Sequence, residues 1–298
     1  MYHQAYGIIE TLAPLHVGAT AGEETGNINL IFRDQFTRTG IIPGSSIRGR
    51  LRAEMRYNHG GNEEDVIKWY GNDVPDPSDA ADFTVSKRTT ESLIKFEYAS
   101  ILWLPVFCPG QSIVWVSCPR LLKRYKRIAG LSDIPDKYTH SKKVQLLPNN
   151  KLFFNFGFLD FSSSKDYQQW NKLFPNGEEL PAVIVADDEI SMIHDMALYR
   201  QNRVALEKDQ KRYVNKAFFE VEALPEGTIL VFPIGIKKHE HGEQWQPFSR
   251  KQPGGNQDKV NKTNGSKMSS NIYLGGLESV GFGHCQMTLF NTRVLNDC

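Results

Sequence analysis

Residues 41–52 read Ile-Ile-Pro-Gly-Ser-Ser-Ile-Arg-Gly-Arg-Leu-Arg, a spacing suited to gripping phosphate. Two apolar residues run into a Pro-Gly turn, and Ser45 and Ser46 stand where a helix should begin. A serine at an N-cap satisfies orphan amides. The helix N-terminus itself offers N–H groups and a partial positive charge to an anion. Gly44 allows close backbone approach, and Arg48, Arg50 and Arg52 are placed to add bidentate grips on further phosphates. Read alone, the stretch is also an ordinary capped helix with solvated arginines. A second stretch, Leu274-Gly-Gly-Leu-Glu-Ser-Val-Gly-Phe-Gly-His284, carries Gly275, Gly276, Gly281 and Gly283. Backbone of that kind can approach a phosphate chain closely. It is not a Walker loop, because no Gly-Lys-Ser/Thr follows. It is not a dinucleotide fingerprint either, because a strand follows it instead of a helix.

The chain has 298 residues, 40% of them hydrophobic, enough for one large core or two modest ones. A formal charge of +1 gives no global basic field, so any nucleic-acid surface must be local. Cys108, Cys118, Cys285 and Cys298 show no CxxC spacing and form no zinc-ligand pattern with the histidines. A reducing compartment is expected, without structural zinc. The N-terminal Met-Tyr-His-Gln-Ala-Tyr lacks a signal-peptide pattern. No apolar run approaches the roughly 20 residues of a spanning helix. The expected setting is the cytoplasm, with no membrane partner.

Residues 2–12 mix aromatic and β-branched types and predict a first strand. A long polar loop is expected over 19–40, holding Glu23, Glu24, Asn29, Arg33 and Asp34, and then a helix over 45–58. Residues 58–92 predict a polar insertion with one short helix at 63–70. Two apolar runs, 98–107 and 111–117, form a hairpin about Cys108-Pro-Gly110 and should be buried. Pro119 opens a basic helix over 120–129. This strand, helix, strand, strand, helix order fits half of a ferredoxin-like α+β sheet. A second insertion covers about 131–190, with a helix expected at 166–173. Its Phe153, Phe154, Phe156 and Phe158 suit a buried strand face, or stacking on bases. Residues 197–214, with Arg200 and Arg203, predict a projecting β-hairpin, and strands follow at 217–222 and 228–236. A third insertion, about 237–272, is polar and should be a mobile loop.

Together these motifs resemble the RAMP superfamily of CRISPR proteins. The resemblance is carried by Pro14-Leu-His-Val-Gly18, Ile42–Arg52, Leu104-Pro-Val-Phe with Val114-Trp-Val-Ser-Cys-Pro-Arg120, Glu222-Ala-Leu-Pro225 and Gly275–Gly283. Within it the chain is most similar to the repeating backbone subunit of type III, Cmr/Csm-type, effector complexes. That resemblance implies a single domain over 1–298: a ferredoxin-like palm with insertions, a thumb hairpin at about 197–214 and a C-terminal glycine-rich loop. It implies guide RNA (crRNA) and complementary single-stranded target RNA as partners, with stacked copies or paralogues and other type III subunits. The implied RNA-binding set is His16, Gly44, Ser45, Ser46, Arg48, Arg50, Arg52, Arg200, Arg203, Gly275, Gly276, Gly281 and Gly283. The protein would grip backbone while base pairing reads sequence.

Catalytic relatives cut target RNA with Mg²⁺ or another divalent ion, using an aspartate in the loop after the first strand. The aligned position here is Asn29, or Ile28 under a shifted alignment, so a silent site is expected. Asp34, Glu23 or Glu24 could substitute, making the chain a metal-dependent endoribonuclease. Other relatives process the guide precursor without metal through histidine, which His16 and His284 would supply, against an ordinary structural or RNA-facing role. Outside the family, the same motifs would fit a phosphate-binding sheet protein with a mononucleotide ligand.

Overall fold

The computed structural model describes residues 2–18, 28–60, 62–72, 90–155, 157–161, 166–206, 213–237, 245–249 and 267–292. Its strands are β1 (Tyr2–Thr11), β2 (Ile28–Asn29), β3 (Ile41–Ile42), β4 (Ile94–Phe96), β5 (Ala99–Cys108), β6 (Ser112–Ser117), β7 (Lys151–Phe154), β8 (Gly157–Asp160), β9 (Ala182–Ile184), β10 (Tyr199–Leu206), β11 (Tyr213–Ala223), β12 (Ile229–Lys237), β13 (Lys267–Tyr273) and β14 (His284–Phe290). The helices are α1 (Gly44–Asn58), α2 (Glu63–Tyr70), α3 (Pro119–Ala129) and α4 (Ile190–Ala197).

One large mixed sheet runs β13-β14-β1-β12-β5-β6-β9, with β3 added on β5 and β4 on β12. Its centre is covered on both faces, which explains why β5 is an almost unbroken apolar run. Ile9, Ile101, Leu104 and Leu230 face a core shared with Ile47, Leu51 and Met55 of α1 and Ile190 and Ile193 of α4. Ile8, Leu102, Trp103 and Val231 face the opposite core, where Leu122 and Tyr125 of α3 meet Trp170 and Phe174. Neighbours such as Ile8 and Ile9, or Leu230 and Val231, thus enter different cores as the pleat requires, while Leu102 and Trp103 share one where the β12–β5 register shifts.

In the sheet β12 stands between β1 and the β5–β6 hairpin: β1 pairs β12 antiparallel, and β12 pairs β5 antiparallel. The helix expected at 166–173 is only a 3₁₀ turn, Trp170–Leu173. Part of the expected long loop is ordered chain, since β2 lies parallel to β11 and residues 31–40 bridge back on themselves at Arg33 and Gly40. The described part of the third insertion is not all loop. Trp245 is fully buried, with its Nε1 donating to the Tyr70 hydroxyl at 3.2 Å, and β13 begins at Lys267, inside 237–272. The hairpin is longer than expected, because the strand predicted at 217–222 is the end of β11 itself. Its tip, 207–212, lies outside the described residues.

The start of α1 differs in detail as well. Its N-cap is Pro43, with no side-chain cap, so Ser45 and Ser46 belong to the first turn instead. A Cβ on Gly44 would meet the Phe96 carbonyl oxygen at 2.5 Å. Here the glycine serves close packing of α1 on β4.

Candidate nucleic-acid interface

The segment 14–18 is a hub. Leu15 exchanges backbone hydrogen bonds with Leu224 just beyond β11, both at 2.9 Å. On the next residue, the His16 carbonyl accepts from the Gly276 amide at 2.9 Å, and the Pro14 carbonyl accepts from Gly283 at 2.9 Å. Gly18 bridges Ile31, and the Phe32 amide donates to Val17 at 3.0 Å. Three pieces far apart in sequence are therefore stitched to one short strand: the glycine loop, the base of the β10–β11 hairpin and the segment following Asn29.

Two of the glycines are required by that stitching. Gly275 has φ +78°, and a Cβ there would stand 2.1 Å from the His16 carbonyl oxygen. Gly283 has φ +81°, with its Cβ position 2.3 Å from the Leu274 carbonyl oxygen. Gly276 and Gly281 are exposed, and Gly281 faces open space at φ +93°. The loop thus presents exposed glycine backbone at 276 and 281, their amides bonded to the His16 and Glu278 carbonyls, while 275 and 283 hold it in place. Phe282, buried between them, packs with Val221 and Ala223 of the hairpin. Arg203 lies over that ring, its guanidinium carbon 5.5 Å from the centroid.

His16 is nearly buried, and its Nδ1 stands 2.7 Å from the Glu222 carbonyl oxygen. A carbonyl only accepts, so Nδ1 carries the proton and Nε2 is the basic nitrogen. His284 instead stacks on Tyr273, ring centroids 5.1 Å apart.

Below the hairpin sits an ion cluster that sequence reasoning missed. The buried Glu222 carboxylate accepts from Arg33 at 3.0 Å and from Arg200 at 3.1 Å. Arg33 also pairs with Asp195 of α4. The neighbouring His194 is fully buried and its Nε2 accepts from the Gly40 amide at 2.9 Å. Burial pushes the His194 pKa down, so the ring is neutral and its Nδ1 proton faces the Asp195 carboxylate at 3.4 Å. Hydrogen bonding to His194 and the Arg33 charge hold Asp195 well below the usual range, at about 2. In the sequence only the Glu-Ala-Leu-Pro motif and the Arg33-Asp34 pair hinted at this cluster. Its partners lie 162 and 189 residues from Arg33.

Asn29 is placed beside this cluster, paired with Val221 in the parallel β2–β11 ladder. Among the described residues, the one candidate substitute is Asp34, and its carboxylate is engaged elsewhere. Glu23 and Glu24 lie outside the described residues. Asp34 Oδ1 accepts from the Phe36 amide at 3.0 Å, the Thr37 amide at 2.8 Å and the Thr37 hydroxyl at 3.0 Å. Burial pushes the Asp34 pKa up, but those bonds and the Arg120 charge outweigh it and hold the group low. Asp34 is thus a turn-capping residue. Among the described residues no three His, Cys, Asp or Glu side chains are grouped to hold a metal ion.

The α1 arginines are placed elsewhere. Arg52 is buried and donates to the Gly71 carbonyl at 3.3 Å, Arg48 donates to the Tyr70 carbonyl, and Arg50 pairs with Glu54 one turn on. Arg48 and Arg52 thereby cap α2, satisfying carbonyls that a helix end leaves open. For Arg52 this replaces the expected exposed phosphate grip, since its guanidinium is committed inside the protein.

No helix among the described residues is long and apolar enough to cross a membrane. No curated protein matches the chain. Among solved structures it is similar to a chain of type III-B Cmr-beta bound to cognate target RNA, at 17% identity and a TM-score of 0.65, covering 96% of this chain and 97% of that one. It is also similar to oligomeric Cmr4 from Pyrococcus furiosus, at 18% identity and a TM-score of 0.62, covering 99% of this chain and 100% of that one. At such identities the likeness shows a shared fold, a mixed α+β architecture around a large sheet. The family model that matches is that of the RAMP superfamily, over residues 8–286, which takes in the hub at 14–18, the start of α1, the hairpin and the whole glycine loop. The chain therefore belongs to the RAMP superfamily.

Proposed function

We propose that this chain is a backbone subunit of a type III, Cmr-type CRISPR effector complex. It binds guide RNA (crRNA) along its length, shapes the guide–target RNA duplex and stacks with copies or paralogues of itself. The observation that carries this reading is the hub at 14–18, which holds exposed glycine-loop backbone next to the base of a basic hairpin. Side-chain-free, exposed backbone beside Arg200 and Arg203 lets a phosphate chain approach closely and suits a backbone read without regard to sequence. The sheet supports a ferredoxin-like palm too. In such a unit the strands stand in the spatial order fourth, first, third, second. Taken as β14-β1-β12-β5, with α1 as the first crossover, the central strands follow that order. The β10–β11 hairpin is the thumb in this reading.

For target cleavage the proposal is a scaffold site. Asn29 offers a neutral carboxamide, and the Glu222 carboxylate alongside is already shared by Arg33 and Arg200. A hard divalent ion prefers carboxylate oxygens, so the donor set here does not fit Mg²⁺.

The test is RNA binding by a Gly276→Asp variant. Position 276 is exposed and a Cβ there meets only the His16 ring, at 3.9 Å, so the fold should be kept. A carboxylate on that surface should weaken single-stranded RNA binding about tenfold and reduce its salt dependence. Wild-type affinity in a folded variant would remove the glycine loop from the interface.

A further inference from the structure

A second cavity, of about 350 Å³, opens between the turn that Asp34 caps and one face of α3. Apart from Asp34 it shares no residue with the hub, the glycine loop or the hairpin base. Arg120, Lys123, Arg124 and Arg127 all line it. They stand at helical spacing, so α3 turns a cationic side toward the cavity, with Leu121 its one apolar residue there. Asp34 is the one carboxylate in the lining, and its Oδ1 is occupied by the turn. Glu97, at 3.5 Å, is the acidic neighbour of Arg124. Arg120, Lys123 and Arg127 have no ion pair among the described residues.

Two further observations point to a ligand. Ser100 lines the cavity, is 3% exposed, and its hydroxyl has no hydrogen-bond partner among the described residues; Arg124 Nε is buried without one among them as well. A buried polar atom left unpaired costs the fold its desolvation, so such groups point to a partner that can use them. The cavity also contains aromatic rings that fix the cations. The Arg120 guanidinium lies 4.9 Å from the Phe36 centroid, and that of Arg124 lies 4.2 Å from the Tyr98 centroid. Phe36 is 72% exposed, an unusual position for a large apolar ring unless it meets a flat partner.

We propose that this cavity binds a nucleoside phosphate. The phosphate is held by Arg120, Lys123 and Arg127, and the base lies against the Phe36 and Tyr98 rings. A volume of this size suits one nucleotide. Either a free mononucleotide or the phosphorylated end of an RNA strand carries that group. The site does not depend on the guide-binding surface being where the glycine loop lies.

The experiment is calorimetric titration of the whole chain with adenosine 5′-monophosphate, with adenosine, and with a short RNA bearing either a 5′-phosphate or a 5′-hydroxyl. Adenosine 5′-monophosphate should saturate one site and adenosine should bind at least tenfold more weakly, the loss expected when charge-assisted contacts go. The variant Arg120→Gln/Lys123→Gln, both exposed positions on a helix surface, should weaken the nucleotide roughly tenfold and leave the melting temperature unchanged. Ser100→Ala removes only the unpaired hydroxyl and should weaken it several-fold in a folded protein. If the 5′-phosphorylated strand binds more tightly than the mononucleotide, the source is a strand end; the reverse order makes it a free nucleotide. Equal binding of adenosine and its monophosphate overturns the proposal. So does nucleotide binding that survives the double variant.

Discussion

A Cβ at Gly275 and a Cβ at Gly281 would meet different fates, although both residues sit at positive φ in one loop. At 281 the space is open, so alanine adds only the left-handed backbone penalty, about 1–2 kcal/mol. At 275 it also strikes the His16 carbonyl oxygen, a backbone atom that is already bonded to the Gly276 amide. Relieving that contact means pulling the loop off the hub. Gly275→Ala should therefore destabilise by roughly twice the Gly281→Ala loss or more, on the scale at which buried clashes act. Urea unfolding midpoints of the two variants check this, and equal losses would show that the loop is not anchored at 275. The glycines themselves were plain in the sequence. Their division of labour was not, because it depends on which carbonyl stands opposite each one.

Among the elements, α4 is the one whose role is least evident from its own residues. It carries His194 and Asp195 to the underside of the hairpin, where they hold the Gly40 amide and Arg33. The pH response of this clamp has a definite sign. Burial lowers the folded pKa of His194 below its unfolded value of about 6.5. Its contribution is therefore whole above that pH and is lost as pH falls below it, because the unfolded chain takes up the proton first. Asp195, held at about 2, begins to lose its contribution only below the unfolded carboxylate value of about 3.9. Between pH 7 and 5 the midpoint of urea unfolding should thus fall, and His194→Gln should flatten that fall. An unchanged slope in the variant would assign the acid sensitivity elsewhere. Elements with local signals were legible: β1, the β5–β6 hairpin and α3 follow from apolar runs, a Pro-Gly turn and Pro119. The insertion of β12 between β1 and β5 was not, since register between distant strands has no local signature. The ion cluster was hidden for the same reason, its members being brought together only by the finished sheet.

At the scale of the whole molecule, a net charge of +1 means that binding a polyanion depends on how charge is segregated. Family membership over residues 8–286 gives the framework, and under the proposed function Asn29 and Asp34 are the positions that bear on target cleavage. Asn29 sits in a strand pair beside Val221, so its position is set by backbone hydrogen bonds and not by its carboxamide. Replacing the carboxamide with a carboxylate changes charge and little else, which makes Asn29→Asp a clean probe. In the assembled complex with guide, Mg²⁺ and end-labelled complementary RNA, wild type should leave the target intact at the site contributed by this subunit. Asn29→Asp should introduce a cut there that disappears with EDTA, because a carboxylate can both ligate a hard cation and act as a base. Wild-type cleavage at that site would sink the scaffold reading. In that case Asp34→Ala decides whether the turn-capping carboxylate is responsible: loss of cleavage with an intact fold would assign it to Asp34. Retained cleavage would direct attention to Glu23 and Glu24, which precede β2 in the chain.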